Sequence, residues 1–117
     1  MRDAYSDQLD NIRDELVTMA RLVREAVSEG TAALLEGDAQ RAEQVISNDA
    51  QIDALREKLE EDSFELLSLQ NPVAGDLRML VASLRMVSEF ERMGDLAVHI
   101  AKIARLRVPD VLSLIHI

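Results

Sequence analysis

Apolar residues recur at spacings of three and four along nearly the whole chain, and the recurrence breaks at only two places. From Leu9 it runs through Ile12, Leu16, Met19, Val23, Ala26 and Ala33, with Gly30 taking one slot. That spacing places all of them on one side of an α-helix. The first break is Gly37-Asp38. Glycine can adopt the left-handed conformation that closes a helix, and the aspartate can accept hydrogen bonds from the first amides of the next. A second seam, Val45, Ile52, Leu55, Leu59, Leu66 and Leu69, stops at Gln70-Asn71-Pro72, where Asn71 suits a cap and Pro72 a first helical position. The third seam is Val73, Leu77, Leu80, Leu84, Val87, Val98 and Ala101. A second stripe, Met79, Met86, Phe90, Met93, Ala97 and Ile100, makes this helix apolar on two sides. Such a helix needs two neighbours.

These patterns predict helices over 4–36, 38–69 and 72–107. Each is about 45 to 50 Å long at 1.5 Å per residue, and short connections oblige them to run up, down, up. The expected fold is all-α, an antiparallel three-helix bundle within residues 1–110. A chain of 117 residues that is 48% hydrophobic can bury one such core. The 22 acidic residues outnumber the 13 basic ones, and a net charge of −9 repels nucleic-acid phosphates and anionic lipid. The absence of cysteine excludes thiolate metal sites and thiol nucleophiles. No apolar run approaches the roughly 20 residues that span a bilayer, and the N-terminus lacks the order of a secretory signal. The sequence therefore reads as cytoplasmic. It carries no Gly-rich phosphate loop, no serine and histidine set with a plausible base, and no Glu-x-x-His pair of the di-iron or ferritin kind, so it reads as no enzyme.

The last residues stand apart. Leu112-Ser113-Leu114-Ile115-His116-Ile117 follows Pro109, where the third helix is expected to end. It reads as the in-frame translation CTG TCT CTT ATA CAC ATC, a transposon end used in sequencing libraries. The expectation is that 111–117 is a non-native tail and that the natural chain continues beyond about Asp110.

Helix three carries carboxylates where aliphatic side chains are due. Glu91 takes the slot between Val87 and Val98, and Asp95 follows one turn later on the same stripe. Burying either without compensation costs as much as or more than a buried leucine contributes. Helix two offers a matching pair, Asp49 and Asp53, also four apart on one face. If the two flanks meet, Asp49, Asp53, Glu91 and Asp95 form an oxygen-only site suited to a hard divalent cation. The alternative is a solvated strip in which Arg56, Arg85, Arg92 or Lys102 pairs with them and no metal is involved. His99, one turn past Asp95, is an additional candidate ligand or a pH-sensitive partner of that carboxylate. Arg78, Arg85 and Arg92 recur every seven residues on an outer face, either docking a partner or anion or, interleaved with Glu89, lying in solvent.

Taken together, these motifs resemble those of the PhoU family, bacterial regulators of phosphate uptake, and specifically the first of its two tandem three-helix bundles. Gln70-Asn71-Pro72-Val73-Ala74-Gly75-Asp76-Leu77-Arg78 is similar to the family's turn into helix three. Glu91-Arg92-Met93-Gly94-Asp95 is similar to its Glu/Asp-x-x-x-Asp metal motif, and Asp49-Ala50-Gln51-Ile52-Asp53 to the copy on helix two. The similarity covers residues 4–107. It implies a cytoplasmic, non-enzymatic protein, a homodimer when full length, that binds metal ions or iron or zinc clusters through Asp49, Asp53, Glu91 and Asp95. Whether the divalent ion is Fe, Zn, Mn or Mg is left open. The resemblance also implies a negative regulator of phosphate uptake and of the phosphate-starvation regulon. Its implied partners are the phosphate ABC transporter, met through its ATPase subunit, and a sensor histidine kinase. The second bundle is missing, which agrees with a truncated reading frame and predicts an exposed apolar face. The alternatives are a metal-storage or oxidase bundle and a plain helical adaptor without a phosphate role.

Overall fold

In the computed structural model the chain forms three long helices, α1 (Ala4–Glu36), α2 (Ala39–Leu69) and α3 (Ala74–Ile115), each packed against the other two. The structure describes residues 4–69 and 74–115, without the side chains at 69 and 107–115. The antiparallel up-down-up bundle predicted from the seams is the one observed, and it measures 69 × 21 × 16 Å. The turn expected at Asn71-Pro72 lies outside the described residues.

The first turn is built as its residues require. Gly37 has φ of 65°, and the Asp38 amide donates to the Ala33 carbonyl at 3.0 Å, the long bond of a glycine-closed helix end. The Asp38 carboxylate then accepts from the Arg41 amide at 3.0 Å and caps α2. Arg41 pairs with Glu29 and with Glu36 (2.9 Å), tying the two helices beside the turn. At the far end, the Tyr5 hydroxyl donates to Asp76 at 2.8 Å and fixes the start of α1 level with the start of α3.

The core has two parts. Leu9, Ile12, Met19, Val23, Ile52, Leu59, Leu66, Leu80 and Val87 fill one half with large aliphatics. Ala33, Ala42, Val45, Ala97, Ala101 and Ala104 fill the other, where small side chains let the helices approach closely. An ideal Cβ at Gly30 would stand only 3.1 Å from the Ala97 carbonyl oxygen, so this glycine lets α1 rest directly on the α3 backbone.

The buried line of α3 differs from the predicted one. It passes through Leu80, Ser83, Val87, Gly94, Ala97, Ala101 and Ala104, while Leu77 is exposed and Leu84 and Val98 only half-buried. Serine and glycine carry no hydropathy signal, so the true seam was hidden behind its larger neighbours. The end of α3 differs too: the spacing predicts a stop near 107, whereas the backbone stays helical past Pro109 to Ile115. A proline forfeits one helical hydrogen bond, at a cost of about 3 kcal/mol, without obliging the chain to leave helical space.

Glu15 is buried beside the α1 seam, which the hydropathy pattern does not predict. One carboxylate oxygen accepts from Asn11 Nδ2 at 3.0 Å and from Lys58 Nζ, and Lys58 also reaches Asp62 at 3.1 Å. Burial pushes the Glu15 carboxyl above its ordinary value of 4.5; the Lys58 bond opposes this, and Asp62 adds to it. Protonation is thus easier in the folded chain. The stability linked to Glu15 is fully present below its unfolded value and is lost as pH rises through the raised one. Relative to Glu15→Gln, which cannot titrate, the wild type should gain stability as pH falls through the raised value toward 4.5. Urea melts of the two proteins with the same pH dependence would refute this.

Candidate functional site

The predicted carboxylates lie along the flank where α2 meets α3, and the antiparallel packing decides which of them meet. Gly94, buried in α3, faces Ile52 and Asp49 of α2: a Cβ built on it would be 3.6 Å from Ile52 Cγ2 and 3.8 Å from Asp49 Oδ1. The missing side chain leaves a cradle on α3 into which half-buried Asp49 points. Burial, then repulsion from Asp53 and from Asp95, raises the Asp49 carboxyl above the usual aspartate value, and Lys102 partly offsets this. Asp53 and Asp95 are therefore both within electrostatic reach of Asp49.

Glu91 is drawn elsewhere. Its Oε2 lies 3.6 Å from Arg56 Nε, and the same guanidinium reaches Glu60 at 3.5 Å and Glu57 at 3.9 Å. Among the described residues, no three His, Cys, Asp or Glu side chains converge on a common point that would hold a metal ion.

The expectation that Glu91 and Asp95 sit within the apolar stripe is corrected. The Glu91 side chain is 41% exposed and Asp95 is exposed, because the seam runs through Gly94 between them. Both flank the core, so neither bears the full desolvation penalty argued from the sequence. His99 is exposed on α3. Arg92 lies 3.6 Å from Glu89, both well exposed, a pair worth about 1 kcal/mol or less. Arg78 and Arg85 instead border a shallow groove with Leu77, Val81 and Ala82. The functional neighbourhood that the hydropathy reading missed is Gly94; Arg56 was already a candidate counter-charge in the sequence.

The candidate groups are carboxylate oxygens, the donor type that hard divalent ions prefer, and at Gly94 the Asp49 carboxylate faces the α3 backbone with no side chain between.

Fold and flank together define an all-helical bundle with an acidic strip where its second and third helices meet. Residues 16–104 match the PhoU domain, and the chain belongs to the PhoU family. It is 49% identical over 110 residues to the phosphate-specific transport system accessory protein PhoU homolog 2 of Mycobacterium tuberculosis, covering 94% of this chain and 52% of that protein. The corresponding Aquifex aeolicus homolog is 39% identical over 95 residues, covering 81% of this chain and 43% of the relative. The crystal structure of PhoU from Pseudomonas aeruginosa superposes with a TM-score of 0.88 at 29% identity, covering 91% of this chain and 51% of that one. The chain spans about half the length of the relatives it matches.

Proposed function

We propose that this chain is a regulatory bundle of phosphate uptake, acting by protein contact and not by catalysis, with a divalent-metal site on its α2/α3 strip. The observation that carries the regulatory reading is the likeness, over 94% of the chain, to a phosphate-specific transport system accessory protein. In this reading it represses phosphate uptake and the phosphate-starvation regulon in the cytoplasm. Its partners are the ATPase subunit of a phosphate ABC transporter and a sensor histidine kinase, and it works as a homodimer when full length. Among the described residues no helix is long and apolar enough to cross a membrane, which agrees with a protein that meets a transporter at its surface. Immobilised chain should retain the purified ATPase subunit or the kinase from its own host; retention of neither sinks the regulatory reading.

The metal reading is tested separately. After chelation, adding back Mg, Mn, Zn or ferrous iron should raise the melting temperature of the wild type and leave Glu91→Ala, Asp95→Ala unmoved, because only a folded site gains binding energy. The same shift in both proteins would place the ion elsewhere. A second reading, a helical adaptor with a self-neutralised strip, is favoured by the Arg56 to Glu91 pair, and it predicts no shift in either.

A further inference from the structure

The side of α3 turned away from α1 and α2 differs in character from the rest of this acidic chain. Residues 77–106 carry five basic side chains against three acidic ones, a net charge of +2 in a chain of −9. Arg78, Arg85 and Arg92 recur every seven residues, which sets them on one line of the helix, and all three are exposed. Val81, Leu96, Ile103 and Leu106 lie along the same line at helical spacing. They too are exposed, Leu96 at 55% and Leu106 at 68%. Arg92 is paired with Glu89. Arg78 and Arg85 have no ion-pair partner among the described residues and flank the shallow groove of Leu77, Val81 and Ala82.

An exposed apolar line about 45 Å long on one helix is a surface on which a second helix can lie, through anchors three, four and seven residues apart. Charge decides what kind of helix that is. A second copy using the same face would set its arginines against arginines or, turned round, against Leu96, Ile103 and Leu106. An anionic bilayer would attract the arginine row but repel a molecule of charge −9 as a whole. We propose that the outer face of α3 docks an acidic amphipathic helix of another protein, its apolar seam seated on Val81, Leu96, Ile103 and Leu106 and its carboxylates paired with Arg78 and Arg85. The inference rests on the reading that this chain acts by protein contact, and adds the surface and the partner's chemistry.

The test is fluorescence anisotropy with the whole 117-residue chain and a synthetic helix of about 20 residues, leucine along its seam and glutamate on both flanks, beside its counterpart with lysine for glutamate. The chain should bind the acidic helix at least about tenfold more tightly than the basic one, and added salt should weaken that binding. The Arg78→Glu, Arg85→Glu double variant should lose at least about tenfold, as should Leu96→Asp, Ile103→Asp, with circular dichroism confirming that both remain helical. Arg78→Lys, Arg85→Lys, which keeps the charge, should stay within about threefold of the wild type. Equal affinity for the two peptides, or for the wild type and either of the first two variants, overturns the proposal. So does tighter binding to phosphatidylglycerol vesicles than to the acidic helix, which would make the face a lipid surface. Sedimentation showing a dimer that Arg85→Glu dissociates would overturn it too, by making the occupant a second copy. The peptide carries nothing of the transporter or the kinase, so these outcomes judge the surface alone, while retention of neither of those proteins judges the regulatory reading.

Discussion

Leu59→Ala should destabilise the bundle by about 2–5 kcal/mol, the usual range for truncating a fully buried leucine. Leu59 is 0% exposed and stands mid-helix in α2, in the large-aliphatic half of the core with Ile12, Leu66 and Leu80. Removing its isobutyl group loses both the transfer energy and the contacts of a space that three stiff helices cannot readily close. Urea unfolding followed by circular dichroism would measure the loss as a lower midpoint at constant slope. Against the 5–15 kcal/mol typical of small proteins, the upper part of that range leaves a substantially unfolded population. A loss below about 1 kcal/mol would mean that the neighbours collapse into the space and that this half of the core is loosely packed.

The second large effect lies at the other end of the bundle. Gly30→Leu should cost about 1–3 kcal/mol by overpacking, because the new side chain begins 3.1 Å from a backbone oxygen that cannot rotate away. The helices must separate where Ala33, Ala97 and Ala101 now hold them close. Gly30→Ala is the informative control. It gains about 1 kcal/mol of helix propensity against the strain of a single Cβ, so its net effect should be small. A thermal melt in which Gly30→Leu matches the wild type would show that α1 and α3 are not in the close register described. Gly94→Ala should be milder still, since its added Cβ meets Ile52 and Asp49 at ordinary contact distances.

The two ends of the molecule thus separate stability from the candidate site. Leu59 and Gly30 act on packing, while Asp49, Asp95 and Arg56 act on the charge of one flank. Variants of the first kind should change melting in the presence and absence of metal alike. On the metal reading proposed above, variants of the second should change chiefly the difference between the two. That division makes the melt with and without metal a usable assay even for substitutions that weaken the fold.

Most of the architecture was legible because it is local. The seams of α1 and α2 lie at helical spacing, and Gly37 and Asp38 carry in their own backbone and side-chain chemistry the instruction to close one helix and open another. The α3 seam was harder to read, since Ser83, Gly94 and three alanines form much of it and have little hydropathy to display. The candidate site was legible as a list of residues and not as an arrangement. Asp49, Asp53, Glu91 and Asp95 stand out by their four-residue spacing, but spacing along a helix says nothing of which flank another helix will cover.

Three amphipathic helices, their order and their short first turn follow from interactions within a few residues and are written in the chain itself. It took the packing of the helices to put Gly94 rather than Glu91 in the core and to turn Asp49 toward it. The same packing set Glu91 against Arg56 and Glu15 against Lys58. Each of these pairings joins side chains on different helices, and its energy exists only once packing has removed water and brought the charges within a few ångströms.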